Sequence, residues 1–145
     1  MIYHGRWLNA EYNMGYTGEI GLATLPRDRW GAVGLYPEDS RYFSPHGSVW
    51  SAPVQLPSPG GQVVLNADHA NRMSVEISDV NFQLLPDYSG ERRGKSSQES
   101  GLDCAVAWPA GSLAALGGKT VRFRIHLNKE AGADPRLFAV YLRSE

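Results

Sequence analysis

The sequence predicts an all-β fold, an antiparallel two-sheet β-sandwich of jelly-roll type with roughly eight to ten short strands. Three observations lead there. Residues 72–78 set Met73, Val75 and Ile77 against Arg72, Ser74, Glu76 and Ser78, and residues 121–127 set Val121, Phe123, Ile125 and Leu127 against Arg122, Arg124 and His126. A period of two places one set on each face of a strand, so both segments read as half-buried strands with one wet face. Helical periodicity is not sustained anywhere: the best segment, 112–116, runs into Gly117 and Gly118 and amounts to one turn. Finally, 16 Gly and 9 Pro are spread along the chain rather than clustered, which calls for many turns.

In chain order, residues 2–8, with Tyr3 and Trp7, read as a first strand. Residues 19–25 stop at Pro26, and 29–36 follow a short Pro26-Arg27-Asp28 connection, so the two read as a hairpin. Residues 48–56 form a further strand in which Pro53 marks an edge or a bulge. Pro57-Ser58-Pro59-Gly60-Gly61 is a turn. Residues 62–67 are expected to pair with 72–78 across a loop at 68–71. Residues 88–102, rich in Ser, Gly and charge, read as a long exposed loop, with a short strand at 104–108. The last strand, 136–143, is almost continuously apolar from Leu137 to Leu142 and is expected at the centre of a sheet. The chain, 1–145, reads as one domain, with a candidate internal boundary near 13–17.

Composition narrows the function classes. A formal net charge of −1 from 14 Lys+Arg and 15 Asp+Glu argues against nucleic acid as a partner. The densest basic run, Arg92, Arg93 and Lys95, reads as a solvated loop, with an anion site as the lesser alternative. Cys104 is the only cysteine, which excludes an intramolecular disulfide, and its neighbours Ala105 and Val106 mark it as a small buried residue. No apolar run reaches the length of a membrane span, and residues 1–7 lack the apolar core of a signal peptide. The chain is therefore compatible with a cytoplasmic protein or with a piece of a longer exported, secreted or periplasmic one.

No nucleophile elbow, phosphate loop, dinucleotide fingerprint or His-Glu-x-x-His is present. His4, His46, His69 and His126 are far apart, and His126, on the polar side of its alternation, reads as a surface residue. Glu19, Asp28, Glu38 and Asp39 are candidates for a glycosidase-type carboxylate pair, but nothing places two of them across a cleft. Asn66 and Asp68, followed by Asn71, make an oxygen-rich stretch that fits calcium or a simple hairpin turn. No other cofactor is indicated.

Several phrases together resemble a known family. They are Ile20-Gly21-Leu22-Ala23-Thr24-Leu25-Pro26-Arg27-Asp28-Arg29-Trp30; Leu65-Asn66-Ala67-Asp68 with Val75-Glu76-Ile77-Ser78-Asp79; and Leu116-Gly117-Gly118-Lys119-Thr120-Val121-Arg122-Phe123-Arg124-Ile125 with Leu137-Phe138-Ala139-Val140-Tyr141. They resemble the C-terminal β-sandwich that follows a five-bladed propeller in invertase-like and arabinanase-like glycosidases of bacteria. The opening Met1-Ile2-Tyr3-His4-Gly5 is similar to the propeller's last strand, so residues 1–17 would be the tail of an N-terminal propeller. The phrases mark strands and turns rather than an activity. Between Val80 and Gly101 a longer polar loop departs from the family pattern.

The resemblance implies a non-catalytic accessory module of a glycoside hydrolase, one that binds an oligo- or polysaccharide, braces a catalytic domain, or both. The catalytic carboxylates of such enzymes sit on the propeller. Sugar binding needs aromatic faces and planar polar groups. The candidates are Trp50, Trp108, Trp30 and Tyr36, together with Trp7, and Tyr88 and Arg92 in the polar loop. The alternatives are a stand-alone glycan-active hydrolase or lyase and a structural or protein-interaction module.

Overall fold

The computed structural model describes residues 2–8, 17–130 and 132–144. Ten strands are present: β1 (Ile2–Leu8), β2 (Thr17–Ala23), β3 (His46–Trp50), β4 (Val54–Gln55), β5 (Gln62–Asp68), β6 (Met73–Ser78), β7 (Gly94–Lys95), β8 (Gly101–Ala105), β9 (Thr120–Asn128) and β10 (Arg136–Arg143). β1 and β2 form an antiparallel ribbon. The others form an antiparallel two-sheet β-sandwich, the small sheet ordered β10-β5-β8 and the large sheet β3-β9-β6-β7, with β4 also on β9. The candidate boundary at 13–17 falls mostly outside the described residues.

The two alternations do what a period of two requires. Met73, Val75 and Ile77 of β6 and Val121, Phe123, Ile125 and Leu127 of β9 turn inward and meet Val63, Leu65 and Ala67 of β5 and Leu137 of β10 in one core. Cys104, Val106 and Trp108 close it from β8 and the residues after it. Burial pushes the Cys104 thiol up, so it stays an inert core group. Residues 112–116 make one 3-10 turn at Ala114–Leu116, as their length allows. Pro53 falls in the break between β3 and β4, both of which pair only with β9.

Three expected pairings differ. β2 pairs with β1, not with residues 29–36. Residues 24–37 form a strap: Asp28, with a left-handed φ of 56°, turns it where Arg27 and Arg29 lie over the small sheet, and it then passes along the β10 side. Only Val33 pairs, exchanging both backbone hydrogen bonds with Leu137 at 2.8 and 2.9 Å. β5 and β6 do not form a hairpin either: a 3-10 turn at Ala70–Arg72 carries the chain from one sheet to the other. Finally, β5, not β10, is the central strand buried on both faces, and β10 is an edge.

Double burial of β5 places Asn66, a fully buried polar side chain, beneath the strap. Its Oδ1 accepts from Arg29 Nε at 3.0 Å, and its Nδ2 donates to the Arg27 carbonyl at 2.7 Å. Arg29 also donates to Asp68 Oδ1 at 2.9 Å and stacks on Phe138 at 4.2 Å. A β-bulge between Leu137 and Ala139 lets Leu137 enter the core while Phe138 and Tyr141 both meet the strap. A buried amide is stable only with its partners in place. Replacing Asn66 by Ala strands Arg29 and the Arg27 carbonyl, and we expect a loss of about 1–3 kcal/mol in urea unfolding. An unchanged midpoint would show that the strap does not depend on this clamp.

Candidate functional site

The outer face of the large sheet carries a row of polar and charged side chains. Residues excluded from the core by the alternation line up there in register. Ser48 of β3 lies opposite His126 of β9, His126 opposite Ser74 of β6, and Ser74 opposite Lys95 of β7. The next rung holds Trp50, Arg124 and Glu76. Even-numbered residues of β6 and β9 thus build a polar surface for the same reason that their odd-numbered neighbours build the core.

Glu76 organises this face. It is buried, yet both its oxygens are engaged: Oε1 accepts from the Gly90 N–H at 2.8 Å, and Oε2 lies 2.7 Å from His126 Nε2 and 3.7 Å from Arg124. Burial opposes the charge, but the Gly90 N–H, His126 and Arg124 together outweigh it and hold the carboxyl below the usual carboxylate range. The carboxylate fixes the His126 ring and also tethers the 3-10 turn Gly90–Arg92, from which Arg93 and Lys95 emerge.

A cleft of about 490 Å³ opens above, at the end of the face where β3, β9 and β6 meet the Ala70–Arg72 turn. Its walls include His46, Arg72, Ser74, Arg93, Lys95 and His126. A second hollow of about 240 Å³ shares His46, Gly47 and Leu127 with it and is bordered by Tyr36 and Tyr42. These two tyrosines are exposed, with ring centroids 5.6 Å apart and planes tilted by 44°. Arg41 packs on Tyr42 at 4.6 Å.

The aromatics expected to bind sugar have separate fates. Tyr36 borders the groove. Trp50 lies on the same face, half-buried, edge-on to Phe82 at 5.1 Å and under Arg124 at 5.4 Å, so its ring is already packed. Trp30 is 69% exposed, but it sits on the strap, over the other sheet. Trp108 and Tyr88 correct the expectation outright. At 6% and 7% exposure they pack edge-to-face against each other in the core, and Trp108 shows only an edge of its ring to a cleft beside Arg93, Lys95 and Pro109. Arg92 pairs with Asp87 on the surface. The side chain of Trp7 lies outside the described part of the structure.

The calcium reading of Asn66 and Asp68 is corrected too. Their oxygens accept from the Arg29 guanidinium, so a cation of this chain already stands where the metal would bind. Among the described residues no group of three or more His, Cys, Asp and Glu side chains is placed to hold a metal. His126, taken from sequence as a surface residue, is half-buried and in the cleft wall. Glu76 was not singled out at all, although a carboxylate opposite Arg124 and diagonal to His126 follows once β6 and β9 are paired.

No family model, curated protein or solved structure matches the chain.

The charge state of Glu76 makes the site sensitive to acid. A carboxyl held low in the folded state stabilises fully above its unfolded value and loses that contribution as pH falls through its folded value. Glu76→Gln is expected to cost about 1–3 kcal/mol near neutral pH. The gap from the parent protein should narrow in denaturation curves taken below the usual carboxylate range. A gap constant down to about pH 3 would contradict the assignment.

Proposed function

We propose that this chain is a non-catalytic glycan-binding module of a carbohydrate-active protein. The observation that carries the reading is the adjacency of two hollows that share His46, Gly47 and Leu127, one bordered by the exposed Tyr36–Tyr42 pair and the other lying over the Ser74–His126–Lys95 rung. An aromatic face at one end and planar or hydroxyl polar groups at the other is the combination a sugar chain needs: apolar ring faces to stack on and partners for its hydroxyls. Arg41 covers part of Tyr42, which leaves Tyr36 as the stacking platform. The larger hollow, about 490 Å³, falls within the range of about 300–1,000 Å³ usual for small-ligand sites.

A hydrolytic role has less support. Glycoside hydrolysis by the usual route needs two carboxyl groups flanking the bond, one of them protonated. No carboxylate is among the groove-lining residues, and Glu76 behind His126 is held ionised. The accessory role within a larger glycosidase rests on the sequence resemblance.

The test is a broad glycan array on the purified chain, followed by titration of the best oligosaccharide against Tyr36→Ala. Binding should weaken about tenfold, equivalent to about 1.4 kcal/mol, with the melting temperature unchanged because Tyr36 is exposed. Trp108→Ala should instead destabilise the fold. No binding across plant and algal polysaccharides would refute the reading.

A further inference from the structure

We infer that the groove takes an acidic glycan, with a carboxylate or sulfate group of the sugar seated between Arg93, Lys95 and Arg72. This inference rests on the glycan-binding reading above and names the ligand class of the same site. Lys and Arg side chains only donate hydrogen bonds, whereas the hydroxyls of a neutral sugar donate as well as accept and are usually matched by carboxylate or amide oxygens. In the larger hollow Arg72, Arg93 and Lys95 supply donors alone and no Asp or Glu lines it, while Ser74, Asn71 and Asn128 add groups that both donate and accept, fit for the hydroxyls of the same sugar. A group that only accepts, such as an ionised carboxylate or sulfate, satisfies the three cations, and charge-assisted bonds to it are stronger than neutral ones.

Charge pairing agrees. Among the described residues Arg93 and Lys95 have no carboxylate within ion-pair distance, although Glu91 borders an adjoining cleft with them. Arg72 is held by Glu130 at 3.3 Å, which orients it without filling the cleft. Glu76 is consumed by His126, Arg124 and Gly90 and stands behind the wall. Local positive charge therefore sits in a chain whose net charge is −1. That combination favours a short anionic segment read at one site over a long phosphate backbone, which calls for a basic stripe.

The experiment titrates the whole chain with three size-matched oligomers, a neutral galacto-oligosaccharide, an oligogalacturonate and a sulfated galactan oligomer, and with a single-stranded oligonucleotide of similar charge. At least one acidic sugar should bind tenfold or more tighter than the neutral one and weaken as salt rises. The double variant Arg93→Ala/Lys95→Ala should lose tenfold or more of that binding and at most a few-fold of neutral-sugar binding, so that the preference for the acidic sugar disappears, whereas Tyr36→Ala should weaken both and keep the preference. The better of the two acidic sugars then identifies the anion. Equal affinity for neutral and acidic sugars, or acidic binding indifferent to the double variant, overturns this inference and leaves the glycan reading standing. Tighter binding of the oligonucleotide than of either acidic sugar overturns it in favour of a nucleic acid. Binding of no sugar in any arm overturns both readings.

Discussion

The buried carboxylate of Glu76 is the constraint on which the functional face depends. An ionised side chain inside a protein persists only when its oxygens are matched by donors. Here the donors come from three parts of the chain: His126 and Arg124 from the neighbouring strand, and the Gly90 N–H from the polar loop. Matching one charge thus fixes a ring orientation, a strand pairing and a loop position together. Arg93 and Lys95 follow the tethered turn within a few residues, so the cationic wall of the cleft inherits its place from a group that never touches the cleft.

The opposite sheet is organised by the same logic with different chemistry. β5 is buried on both sides, so Asn66 needs partners from above, and the strap supplies them through Arg27 and Arg29. The strap continues to Leu35, which packs against the core, and to Tyr36 at the groove's aromatic end. The clamp on one sheet and the carboxylate hub on the other therefore position the walls of two adjoining hollows.

Much of the fold was legible in the sequence because two strands obey a strict period of two. That alternation assigned the inner faces of β6 and β9 and the all-β class. Pairing was less legible. A near-continuous apolar run suggested that β10 was central, yet Phe138 and Tyr141 are covered by arginines stacked on their rings rather than by a further layer of strands. The Asn66-Ala67-Asp68 stretch read as a turn or a metal site because sequence cannot show Arg29, 37 residues away, reaching its oxygens. For the site, composition named candidate aromatics but not their exposure. Trp108 and Tyr88 are large and polar-tipped, as binding aromatics are, and are spent on the core, whereas Tyr36 borders the groove. Arg93 and Lys95 read as solvated because their tether, Glu76, is 14 residues from Gly90 and visible only after folding.

The central claim is that one groove on the outer face of the large sheet binds an acidic sugar. The most direct measurement is an amide chemical-shift titration of the labelled chain with oligogalacturonate or the sulfated oligomer, whichever binds better. The account predicts saturable shifts at Tyr36, Gly47, Ser74, Lys95 and His126, with the strap around Trp30 unmoved. Shifts centred on Trp30 and residues 24–33, or none that saturate, would contradict it.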